Sequence, residues 1–217
     1  LSIFATTVRA EPPKLATSGR FDLSADAKVG SIDDGELTAG SGSVSRMNWI
    51  PEADRARSYT VNFAVSHMAW REFAVRFIAK STGTQTLTHM GPWEEASEGV
   101  IYRQEVLWDA IAVEGASLDN GSFESGTESS PAGWKSSGGR AESASSSVAA
   151  FEGKRFARTW HNQTLSTSLQ VTAGKPVTLR LHARAAVPAA FKEMRRIADR
   201  NTPAHAAAKR FMRGTNL

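Results

Sequence analysis

From about residue 15 to residue 187 the polarity of the chain repeats every second position. Residues 58–65 alternate Tyr59, Val61, Phe63 and Val65 with smaller or polar neighbours, and residues 72–78 place Phe73, Val75 and Phe77 on one face. The same pattern recurs at 85–90, 101–107, 108–113, 169–171 and 177–182. A strand sends successive side chains to opposite faces, so this period marks half-buried antiparallel strands and leaves little room for helices. Between the runs stand turn formers: Asp33-Asp34-Gly35, Ser81-Thr82-Gly83, Asp119-Asn120-Gly121 and Ala173-Gly174-Lys175-Pro176. Short strands punctuated in this way predict an all-β fold, an antiparallel β-sandwich or jelly roll.

Two stretches break the period. Residues 126–150 are rich in Ser, Gly and Ala around Pro131 and Trp134, and read as long loops with a weak edge strand. From Pro188 onward, Phe191, Met194 and Ile197 fall on one face of a helix, and Thr202-Pro203 reads as the cap and first position of another. A short helical C-terminal tail is therefore expected after the sandwich. The tail also accounts for the charge. The chain's net charge is +4, yet residues 188–217 alone carry +5, so the sandwich lacks the basic surface that a phosphate backbone requires. Nucleic acid is excluded as an expected partner.

No apolar stretch approaches the roughly 20 residues of a membrane-spanning helix, so no membrane partner is expected. There is no cysteine, hence no disulfide and no thiolate chemistry. The apolar run Leu1-Ser2-Ile3-Phe4-Ala5, with Val8-Arg9-Ala10 before Glu11-Pro12-Pro13, reads as a signal-peptide remnant and predicts a secreted, extracellular protein. The expected organisation is an N-terminal arm over 1–14, a β-sandwich module over 15–116, a second module or completing half over 117–187, and a helical linker over 188–217.

Two sets of residues carry a family resemblance. Leu118-Asp119-Asn120-Gly121-Ser122-Phe123-Glu124, then Pro131-Ala132-Gly133-Trp134, then Leu169-Gln170-Val171-Thr172-Ala173-Gly174-Lys175 resemble the first half of jelly-roll carbohydrate-binding modules of the family 4, 9 and 16 type. The earlier Trp70-Arg71-Glu72-Phe73 strand and the run Trp108-Asp109-Ala110-Ile111-Ala112-Val113 are similar to the second half of such a module. The halves thus stand in inverted order. They imply either one permuted sandwich or two small packed sandwiches. The closing Arg213-Gly214-Thr215-Asn216-Leu217 resembles the opening of the barrel in family 5 glycoside hydrolases, which implies an attached, cellulase-like catalytic domain.

The resemblance implies a non-catalytic region that binds plant-type polysaccharide of the β-glucan, cellulose or xylan class, with a structural spacer that binds no sugar as the alternative. Sugar recognition needs flat aromatic faces for pyranose rings and polar groups for their hydroxyls. Trp70 and Trp108 sit in strand patterns and read as core. Trp93 beside Glu94, Trp134 in its Gly-Ser loop, and Trp160 near Asn162 and Gln163 are the binding candidates, with Trp49 as a weaker one. Glu94, Glu95, Glu98 and Glu105 read as a solvated acidic loop, because nothing in their spacing sets the separation that a hydrolytic carboxylate pair needs. The histidines show no metal-binding spacing. In similar modules a structural calcium is held by the glutamate of the first motif and the aspartate of the closing strand, here Glu124 and Asp109.

Overall fold

The computed structural model describes residues 16–25, 37–47, 52, 57–92, 95–97, 100–102, 104–145 and 147–187. The expected N-terminal arm and helical tail lie outside them. The described residues form thirteen strands: β1 Ala16–Ala25, β2 Ser43–Arg46, β3 Ser58–Ser66, β4 Arg71–Ile78, β5 Gly83–Met90, β6 Glu95–Ser97, β7 Val100–Tyr102, β8 Val106–Glu114, β9 Lys135–Ser137, β10 Arg140–Ser143, β11 Arg155–Thr159, β12 Thr164–Val171 and β13 Pro176–Ala185. A six-stranded sheet runs β2-β3-β1-β5-β12-β9, and a five-stranded sheet runs β10-β11-β8-β13-β4. β6 and β7 form a separate ribbon. The paired strands of these sheets are antiparallel, as the alternation predicts.

Both sheets contain strands from 16–114 and from 135–185. β12 continues the six-stranded sheet beside β5, and β13 fits between β8 and β4. One sandwich, completed by the later half of the chain, is the arrangement observed. Its core collects the inward residues of both sheets. Phe21, Leu23, Val61, Phe63, Leu87 and Leu165 face Val75, Phe77, Val106, Trp108, Leu179 and Leu181 in one buried cluster. Gly19 on β1 makes room for the largest of these: a Cβ there would stand 3.4 Å from Cη2 of Trp108 and 3.3 Å from Cγ1 of Val65.

A second, smaller cluster lies on the outer face of the five-stranded sheet. Leu107 and Phe156 point away from the main core and are covered by Val148 and Ala150 of the β10–β11 connection, with Trp70 at the side. The Trp70 indole N–H donates to Ala149 O at 3.1 Å. This connection is a strap laid across the sheet.

Two local expectations change. The strand expected over 101–107 divides at Gln104, which is buried and whose amide donates to Glu105 O at 2.6 Å and to Ala186 O at 3.0 Å. Val100–Tyr102 pairs with Glu95–Ser97, and the next strand starts at Val106 and includes Trp108. The 126–150 stretch holds two edge strands where one is expected, β9 in the six-stranded sheet and β10 in the five-stranded one. Among the described residues, no helix is long and apolar enough to cross a membrane.

Candidate functional site

Two connections cross from sheet to sheet at the same corner of the sandwich. β9 passes to β10 through Gly138-Gly139, and β11 passes to β12 through His161-Asn162. In the second, Trp160 N donates to Gln163 O at 2.9 Å and Gln163 N to Trp160 O at 3.0 Å, closing a two-residue turn. The crossings touch: Gly138 bridges to Thr164, and Gly139 N donates to Thr164 O at 3.3 Å. Glycine is required at this contact. Gly138 has φ +93°, and a Cβ on Gly139 would stand 2.7 Å from Thr164 O.

Beside the crossings opens a shallow groove of ≈ 400 Å³, lined by Thr127, Glu128, Ser129, Ser136, Gly138 and Arg140 among others. Its walls are held by local bonds. Ser136 Oγ donates to Gly139 O at 2.6 Å and accepts from Gly138 N at 3.1 Å, and Thr127 Oγ1 accepts from Ser130 N at 3.1 Å. Arg140 lies 3.5 Å from Glu128 and 3.5 Å from Glu142. Behind it, Arg158 binds Glu142 through Nε and Nη2 and reaches Glu105 Oε2 at 2.9 Å. Glu105 therefore serves this ion network. The groove offers donors from Arg140, acceptors from Glu128 and hydroxyls that do both, which suits a ligand bearing many hydroxyl groups.

The structure sorts the expected binding residues. Trp160, Asn162 and Gln163 come together on the β11–β12 turn, with Trp160 half-buried and Asn162 exposed. Gln163 flanks the groove, since a Cβ on Gly138 would lie 3.1 Å from its Cγ. Burial and the charge of Arg20 lower the pKa of His161 in the same turn. Gly91, two residues before Trp93, abuts the Trp160 backbone. Trp93, Glu94 and Trp49 themselves lie outside the described residues.

Trp134 requires correction. It is 6% exposed, tilted against Phe123 with ring centroids 4.9 Å apart, and its indole N–H donates to Asn120 O at 3.0 Å. A ring closed in on both counts has no face to offer a sugar. Its loop is an ordered turn system centred on Asn120. That residue's Oδ1 accepts from Ser125 N at 3.0 Å, and its Nδ2 donates to Ser125 O at 3.0 Å and Ala132 O at 2.9 Å.

Glu124 and Asp109 do meet one chain segment, but as acceptors for backbone N–H groups. Asp109 Oδ2 accepts from Phe151 N at 2.8 Å and Glu152 N at 3.0 Å, and Oδ1 accepts from Ala110 N at 2.7 Å. Glu124 Oε1 accepts from Lys154 N and Arg155 N, both at 2.8 Å. N–H dipoles point their positive ends where a cation would sit, so this donor set does not fit calcium. Among the described residues no group of three His, Asp or Glu is placed to hold a metal ion. Burial raises the Asp109 carboxyl to about 6 against these bonds. Phe151 of the strap stacks on His182, with ring centroids 3.5 Å apart.

The groove itself is absent from the expected residues. Its only sequence signal is the run Ser136-Ser137-Gly138-Gly139-Arg140, a glycine turn between hydroxyls and a cation. Comparison of the chain with models of known families, with curated proteins and with solved structures finds no match to any of them.

Proposed function

We propose that this chain is a non-catalytic polysaccharide-binding sandwich of a secreted protein, taking β-glucan, cellulose or xylan chains at the corner groove and holding them near an attached glycoside hydrolase. The observation that carries the reading is the groove, where the side chains of Arg140, Glu128, Thr127, Ser129 and Ser136 line one shallow cleft flanked by the turn that bears Trp160 and Gln163. Glycan hydroxyls need both kinds of partner within one cleft. The burial of Trp134 favours the alternative, a spacer that supports a catalytic domain without touching sugar.

Affinity electrophoresis in soluble β-glucan, xylan and mannan, with a cellulose pull-down, separates the two. Retardation by at least one glycan is expected, weakened about tenfold in Arg140→Ala, because a charged hydrogen bond contributes roughly 1.5 kcal/mol. Unchanged mobility in every glycan, with no retention on cellulose, would leave the spacer reading.

A further inference from the structure

Two Asn-x-Ser/Thr triplets occur in the chain, Asn120-Gly121-Ser122 and Asn162-Gln163-Thr164. Such a triplet is the acceptor pattern for N-linked glycosylation, and a chain that carries the sugar must fold with it projecting from the surface. The structure treats the two asparagines in opposite ways. Both amide hydrogens of Asn120 are occupied by Ser125 O and Ala132 O, and its Oδ1 by Ser125 N. A sugar on Nδ2 would displace one of those bonds and enter the turn that seats Phe123 and Trp134. Asn162 is exposed at the tip of a two-residue turn, and its side chain has no hydrogen-bond partner among the described residues. Nothing in the fold is disturbed when a substituent projects from that tip. Thr164, which supplies the required hydroxyl, begins β12 just past the turn.

We propose that Asn162 is an N-glycan acceptor and that Asn120 is not. In the transfer, Nδ2 of Asn162 attacks the anomeric carbon of an oligosaccharide carried on a polyisoprenyl pyrophosphate. The carbon–oxygen bond to pyrophosphate breaks as the carbon–nitrogen bond forms, an amide proton passes to a base of the oligosaccharyltransferase, and the lipid pyrophosphate leaves. The inference rests on the export part of the proposed function and not on glycan binding by the groove.

The test is to secrete the full chain from a eukaryotic cell behind a supplied signal sequence. The product is digested with peptide N-glycosidase in heavy-oxygen water and its peptides are mapped by mass spectrometry. The expected result is one discrete loss of mass on digestion, isotope label at position 162, and an unmodified Asn120. Asn162→Gln and Thr164→Val should each abolish the loss of mass while the chain is still secreted. A secreted chain unmodified at Asn162, or carrying sugar on Asn120, overturns the proposal. Polysaccharide retention is read separately on unglycosylated protein, so failure of the groove reading and failure of the acceptor site give different results.

Discussion

The imidazole of His89 meets the indole of Trp108 edge to face, 5.0 Å between ring centroids, inside the sandwich core. Phe21 at 5.0 Å and Trp134 at 5.3 Å complete an aromatic box around it. Neither ring nitrogen has a hydrogen-bond partner among the described residues, and the three rings that face it carry no charge. Burial drives its pKa down to about 3, so His89 is neutral in the folded protein across ordinary pH. Unfolded, the same ring takes a proton near 6.5. The associated stability is fully present above about 6.5 and is lost as pH falls from there toward 3. Relative to wild type, His89→Leu should gain about 1.4 kcal/mol for each pH unit of acidification inside that window, read from urea titrations. An imidazole resonance of His89 titrating near 6.5 would refute this.

Asp109 has the opposite sign. Its folded pKa of about 6 stands above the unfolded value, so the folded state takes up a proton first and is favoured as pH falls from about 6 to about 4. Asp109→Asn removes that uptake, and should lose ground to wild type on acidification over the same interval. Asp109→Ala also strips the acceptors from Phe151 and Glu152, and should cost about 2–3 kcal/mol at pH 7. Hydrogen exchange at those two amides is the direct measure, and unchanged protection there would show that the strap does not depend on Asp109.

Trp134→Phe keeps the packing against Phe123 and His89 but deletes the donor to Asn120 O. A loss of about 1–2 kcal/mol is expected in chemical denaturation, with affinity for any glycan that binds unchanged. A selective loss of glycan binding at full stability would restore Trp134 to the ligand site.

Gly121→Ala should be far more severe. The added Cβ would fall 1.9 Å from Ile111 O and 2.9 Å from its carbonyl carbon, and both are backbone atoms that cannot step aside. Unfolding or a loss above about 3 kcal/mol is expected, measured by thermal denaturation. A stable variant would mean that the turn moves freely relative to β8.

The legible parts of this fold are those in which one face of a strand is buried and the other wet. Phe73, Val75 and Phe77 announce β4, and Trp108 reads correctly as core. β11 is hidden because Phe156 and Ala157 are both buried, the first under the strap and the second in the main core, and two adjacent buried residues erase the alternation. Trp134 looks exposed in a Gly-Ser stretch, yet the bonds of Asn120 fold that stretch inward. Such bonds depend on turns with unusual backbone, including Asn120 at φ +55° and Phe123 at φ +60°, which hydrophobic periodicity does not register. The corner groove is harder still. It is made where two crossings meet, and the pairing of Gly138 with Thr164 joins residues that no local pattern connects. Of the candidate site, the residues of one turn were readable and the cleft beside them was not.

The place of β13 governs when this protein acquires its shape. It is the last described strand in sequence, yet it occupies an interior position of the five-stranded sheet, between β8 and β4. Until it arrives, both neighbours present unpaired edges and the main core lacks Val177, Leu179 and Leu181. A nascent chain that stops short of residue 185 therefore lacks an interior strand and part of the core. Closure waits on the slowest class of contacts, those between distant segments. A chain truncated before β13 should be a substrate for proteases, and the intact chain should fold only after almost all of these strands have left the ribosome.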